Sequence, residues 1–98
     1  TIPARERLRQ RFVRHACDLV RARMAQAQWD EALRCCEQAL EHADTAEELY
    51  QQLMTCHARL GRSADVLATY RRCRDVLAAR LGTGPSTRTE ALLREPRA

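Results

Sequence analysis

The chain has 98 residues, of which 45 % are hydrophobic, 31 % charged and only 4 % aromatic, with a formal net charge of +4. That length suits one small domain, which buries only roughly 60–65 % of the surface its unfolded form exposes. Scarce aromatics argue against single-stranded nucleic-acid binding by repeated base stacking, and the short apolar runs argue against a membrane span, which needs roughly 20 residues.

Ala, Arg, Leu, Glu and Gln dominate, with three Gly and three Pro, so an all-α fold is expected. Pro3 suits the first turn of a helix over residues 4–27. Its apolar side carries Leu8, Phe12, Ala16, Leu19, Val20 and Met24, while Arg7, Arg11, Arg14 and Arg21 crowd another side. Gln28 and Trp29 make a turn, and Asp30 with Glu31 opens a second helix over residues 30–42, acids at the positive end of the dipole. Its buried face reads Leu33, Cys36, Ala39 and Leu40, with the small Ala32 at a close approach. Asp44 or Thr45 is expected to cap a third helix over residues 46–60, with Glu48 completing a capping box. Leu49, Leu53, Cys56 or His57, and Leu60 form its stripe before Gly61. Ser63 is expected to cap a fourth helix over residues 64–81, with the stripe Val66, Leu67, Tyr70, Cys73, Leu77 and Leu81, ended by Gly82 and Gly84. After Pro85, Ser86 or Thr87 starts a short helix over residues 86–94, with Thr87 and Glu90 spaced as a capping box and Leu92 and Leu93 inward; residues 95–98 are expected to fray.

One shift of the chain along itself lays Leu19 on Leu53, Ala32 on Val66, Leu33 on Leu67, Cys36 on Tyr70 and Ala39 on Cys73. A period near 34 is the tetratricopeptide length, because one helix pair cannot bury its own apolar face and lays it on the next. The predicted fold is a single tetratricopeptide-like domain of stacked antiparallel helical hairpins, two of them plus a short C-terminal capping helix. Two hairpins fall below the three repeats such stacks normally need, which predicts an exposed apolar edge on the first helix. With no Met at its start and a helix beginning almost at once, the chain is read as a piece of a longer regulator.

All 17 basic residues are Arg, a bias that codon usage rich in G and C explains better than a phosphate-binding surface does. Residues 1–28 set seven Arg against Glu6 and Asp18, residues 29–60 set two Arg against seven acids, and residues 61–98 set eight Arg against four acids. The successive charges of +5, −5 and +4 predict sideways attraction between helices. Cys17, Cys35, Cys36, Cys56 and Cys73 show no CxxC pair, and Cys35 and Cys36 point to different faces of one helix, so inert buried thiols are expected rather than zinc ligands or disulfides. His15, His42 and His57 stand singly, and no phosphate loop, HExxH or triad spacing occurs, so no enzyme, cofactor or metal is expected. Trp29 reads as a wedge between helices.

From Leu53-Met54 through Gly61-Arg62, Tyr70-Arg71-Arg72-Cys73-Arg74, Leu77, Leu81-Gly82 and Pro85-Ser86 to Leu92-Leu93, the order of motifs resembles the closing hairpin and final helix of the bacterial transcriptional activator domain family. Asp30-Glu31-Ala32-Leu33 is similar to that family's Glu-Ala-Leu step, while Val66 and Gly84 depart from its pattern. The resemblance implies an all-helical module for self-association or partner contact in transcriptional control, cytoplasmic, touching DNA only through another domain. Its partner is then a protein or a second copy of the chain.

Two surfaces follow from the predicted stack. First helices of hairpins line a groove, which sets Arg14, Cys17, Arg21 and Met24 beside Glu48, Gln51, Thr55 and Arg59. Arg14, Arg21 and Arg59 would there hold an acidic peptide or carboxylate, unless they are solvated or paired with Glu48. The exposed edge predicts a homodimer through Leu8, Phe12 and Val13. The alternatives are a free-standing helical adaptor for an acidic peptide, and nucleic-acid contact through Arg7, Arg11, Arg14, Arg71, Arg72 and Arg74.

Overall fold

The computed structural model describes residues 1–95, and among them there are five helices and no strand. They are α1 (Ala4–Ala25), α2 (Trp29–Leu40), α3 (Glu47–Arg59), α4 (Ser63–Leu81) and α5 (Thr87–Arg94). The fold is the predicted all-α stack of hairpins. α1 packs on α2 and α3 on α4; α2 packs on α3, α1 also touches α3, and α5 lies across α3 and α4. α5 therefore stands beside the second hairpin as α3 stands beside the first.

The repeat extends to single hydrogen bonds. The shift that lays Leu19 on Leu53 also lays Ala25, the end of α1, on Arg59, the end of α3, and Trp29, the start of α2, on Ser63, the start of α4. Ala27 N donates to the Met24 carbonyl at 2.9 Å and Gln28 N to that of Arg23 at 2.9 Å. Gly61 N donates to Ala58 at 3.0 Å and Arg62 N to His57 at 2.9 Å, each bond shifted by the same period. Such a turn closes the carbonyls of a helix end and needs one left-handed residue. Gly61 has φ 73°, and Ala27 takes the same place with φ 56°.

The core draws Cys17 and Val20 from α1, Ala32, Leu33, Cys36, Ala39 and Leu40 from α2, Leu49, Tyr50, Leu53 and Cys56 from α3, and Cys73 and Leu77 from α4. Cys35 is only partly buried beside the buried Cys36, since consecutive residues of a helix point about 100° apart.

Several local expectations are corrected. α1 stops two residues early, and α2 begins at Trp29 and ends at Leu40. Ala46, not Asp44 or Thr45, precedes α3, and no side chain caps it. Thr45 Oγ1 instead accepts from Arg9, and Asp44 pairs with Arg80 at 2.9 Å. Ser63 is the first residue of α4 rather than its cap. Ser86 does cap α5, accepting from Thr89 N at 3.4 Å, but Glu90 accepts from the Tyr70 hydroxyl instead of closing a box with Thr87. Gly82 ends α4 in the left-handed conformation as expected. Leu67 and Leu81 are 37 % and 58 % exposed, because eight-residue α5 is too short to cover the far side of α4. The fraying expected of Pro96, Arg97 and Ala98 lies outside the described residues.

Candidate functional site

Three surfaces carry groups that the core does not consume. The first is the outer face of the first hairpin, on the side away from α3. Phe12, His15, Ala16 and Leu19 of α1 and Cys35, Gln38, Ala39 and His42 around α2 line a hollow of about 470 Å³. Phe12 stands edge-on to the His42 ring at 5.9 Å and is still 41 % exposed. Leu8 and Leu19 are 63 % and 46 % exposed. Two of the three residues expected to form a self-association edge, Leu8 and Phe12, are thus on the surface. Val13 is only partly buried: it packs against the core and also lines the hollow beside Arg14.

The period shows what this face lacks. Moved on by one repeat, Phe12, His15, Ala16 and Leu19 become Ala46, Leu49, Tyr50 and Leu53, all buried, since α2 lies on that side of the second hairpin. The tyrosine ring fills the place where Ala16 leaves the hollow, and its hydroxyl donates to the Asp44 carbonyl at 2.6 Å.

The second surface is the groove formed by α1, α3 and α5. Of the residues expected there, Arg21, Met24, Gln51 and Thr55 do come together around a hollow of about 500 Å³, with Glu48, Gln52 and Arg88. Arg14 lines an adjoining hollow with Arg9, Gln10 and Glu48. Arg59 is not in the lining: its guanidinium sits 5.3 Å from the Trp29 ring centre, a cation–π contact that also holds the turn before α2. Cys17 lies at the floor of that adjoining hollow and is itself buried. Arg21 is paired with both Asp18 and Glu48, and these hydrogen-bonded acids raise its pKa. Its charge is therefore answered within the chain. Arg88, which sequence reasoning missed, supplies a groove cation with no ion-pair partner among the described residues; its signal is its place at the start of the short helix that covers α3.

Gln52, also missed, is buried and donates from Nε2 to the Cys17 carbonyl at 3.0 Å, tying α3 to α1. The third surface is a polar ladder beneath α5. Glu47 accepts from Ser86 N at 2.7 Å and from the Thr89 hydroxyl, and Gln51 Nε2 donates to Thr89 Oγ1 at 3.0 Å. Burial pushes the Glu47 pKa up, but the bonds from Thr89 and Ser86 outweigh it and leave the carboxyl below its ordinary value.

The Arg residues considered for nucleic-acid contact do not form one stripe. Arg7 donates to the Ile2 carbonyl, Arg72 pairs with Glu37 at 2.9 Å and lies over the Tyr50 ring, and Arg74 pairs with Asp75. α1 and α4, which carry the two groups, do not pack on each other. Across helices, Arg62 meets Asp30 and Arg80 meets Asp44, so acidic residues of the middle third answer basic ones on either side.

Burial pushes the thiols up, to about 11 at Cys17 and Cys56 and about 12 at Cys73, and Cys36 is raised as well. Among the described residues no group of three His, Cys, Asp or Glu is placed to hold a metal, and no helix is long and apolar enough to cross a membrane.

Compared with known families, residues 2–96 match the family model described as bacterial transcriptional activator domain. Comparisons with curated proteins and with solved structures gave no match.

Proposed function

From the premise that this chain belongs to the bacterial transcriptional activator domain family, we propose that it works in transcription as a protein-interaction module that docks a partner on the outer face of its first hairpin. The observation that carries this reading is the unmatched repeat. Leu49, Tyr50 and Leu53 are buried under a neighbouring helix, whereas their counterparts His15, Ala16 and Leu19 line an open hollow beside the exposed Phe12. A half-exposed aromatic beside an apolar hollow is the kind of anchor on which interface energy concentrates.

The groove of α1, α3 and α5 supports an acidic-peptide reading less well, because Asp18 and Glu48 already neutralise Arg21 and Arg59 is turned to Trp29. DNA is read by a separate domain in this proposal, and the module acts in the cytoplasm, where bacterial transcription takes place.

The test fuses the chain to a sequence-specific DNA-binding module and measures transcription from a reporter. Wild type should raise transcription and Phe12→Asp should abolish the rise, with helix content unchanged because Phe12 lies outside the core. Full activation by the variant would end the proposal.

A further inference from the structure

We propose that the outer face takes an acidic amphipathic helix of a protein partner, anchored by one Tyr or Trp ring in the hollow over Ala16. This rests on reading that face as the docking surface. The repeat gives the shape of the occupant. The equivalent side of α3 is covered by a helix, α2, so a helix fits the open side of α1. Bulk is exchanged between the two places: α3 sets small Ala46 and large Tyr50 there, whereas α1 sets large Phe12 and small Ala16. An occupant must reverse that exchange, with a large ring over Ala16 and a small residue one turn away over Phe12. The ring needs a polar end. Of the residues lining the hollow, His15, Gln38 and His42 make no side-chain hydrogen bond among the described residues. A Tyr hydroxyl or Trp N–H gives them a partner while its ring stays against the apolar floor, which Phe or Leu would not do.

Charge sets the sign of the partner. Arg5 stands seven positions before Phe12 and Arg23 seven after Ala16, two turns or about 10.5 Å along the axis in each case. Both are exposed, one at each end of the stripe Leu8, Phe12 and Leu19. Arg5 and the neighbouring Arg11 have no ion-pair partner among the described residues, and Arg23 reaches only the Gln28 amide, at 3.4 Å. On the α2 side Glu31 is paired with Arg34 and Glu37 with Arg72, which leaves Glu41 as the open acid of the lining. Open cations thus outnumber open acids around the hollow and bracket its apolar stripe. A helix with acids near both ends meets Arg5 and Arg23 while its ring sits between them, and such rim charges choose partner and orientation more than they add affinity.

Fluorescence anisotropy tests this with the whole chain and a labelled peptide of about 20 residues, long enough to hold a helix. The peptide carries a central Tyr with Ala one turn away, Leu along the same side, and Glu two turns out at either end. Replacing its Tyr by Ala, or Phe12→Asp in the chain, should each weaken binding at least about tenfold. A peptide with Lys in place of Glu should bind wild type about tenfold less well, and the double variant Arg5→Glu, Arg23→Glu should invert that order. Leu67→Glu, on the exposed far side of α4, should leave binding unchanged. Circular dichroism on each variant confirms that the helices persist. Equal binding of the Glu and Lys peptides, capture undiminished by Phe12→Asp, or no binding up to about 1 mM overturns the inference. So does light scattering that shows a second copy holding the face, in a dimer that Phe12→Asp breaks and the peptide does not. If the peptide fails and Phe12→Asp still silences the reporter, the inference falls and the docking reading stands with an occupant of other chemistry. If the peptide binds as expected and Phe12→Asp leaves the reporter active, the helix site is upheld and its role in activation is removed.

Discussion

Ala27 holds a left-handed conformation that its repeat counterpart fills with Gly61. An L-residue with a Cβ loses roughly 1–2 kcal/mol there, partly offset because alanine has less freedom to lose on folding. Ala27→Gly should therefore stabilise the fold by about 0.5–1 kcal/mol, and Gly61→Ala should destabilise it by about 1 kcal/mol. A Cβ on Gly61 would meet nothing within 4 Å, so the cost there is conformational rather than steric. Urea unfolding of both variants checks the pair of signs. The cysteines give a second residue-scale prediction. Cys17, Cys36, Cys56 and Cys73 are buried with raised pKa values, and Cys35 alone is partly open. A thiolate-selective reagent at neutral pH should titrate one thiol in the folded protein and all five after denaturation. Fast labelling of several thiols before unfolding would contradict the packing of the core.

At the scale of elements, α5 is held by a polar ladder as much as by apolar contact. Glu47→Ala removes the acceptor for Ser86 N and the Thr89 hydroxyl and leaves the buried Thr89 short of a partner. A loss of about 1–3 kcal/mol is expected, read first as faster amide exchange within Thr87–Arg94. The same carboxyl predicts a pH dependence. Its folded-state pKa lies below the ordinary 4.5, so its contribution is complete above pH 4.5 and is lost as pH falls through the lower folded value. His57 acts earlier: burial lowers its pKa against the opposing pull of Asp65, so stability begins to fall once pH drops below 6.5. Glu47→Ala should remove the acid-limb dependence and leave that of His57.

The helices themselves were legible, because periodic apolar residues mark a buried stripe whatever the neighbours are. Caps were less so. Thr45 has the chemistry of a cap, but Arg9, 36 positions earlier in the chain, takes its hydroxyl. The Glu47–Thr89 bond joins residues 42 apart, and no local pattern announces it.

For the whole molecule, the repeat period carried the architecture and the expectation of an open first helix. Its limits appear in Leu33 and Leu67, equivalent by sequence yet 9 % and 37 % exposed, since hairpin position decides what covers each. The candidate site was half legible for the same reason. Leu8 and Phe12 stand exposed on the apolar stripe, but Val13 is partly buried against the core, and Arg59 was drawn from the groove by Trp29, a contact set by folding rather than by spacing. The alternation of basic and acidic thirds does emerge as cross-helix pairs such as Arg72–Glu37 and Arg80–Asp44. These exposed pairs orient the stack more than they stabilise it.

The central claim is that partners meet the outer face and not the groove. Reporter activation by the fused chain should be measured for Phe12→Asp beside Arg88→Glu, which reverses the groove cation that no described acid pairs with. Phe12→Asp should be silent, and Arg88→Glu should activate as wild type does. Activation retained by Phe12→Asp and lost in Arg88→Glu would contradict it.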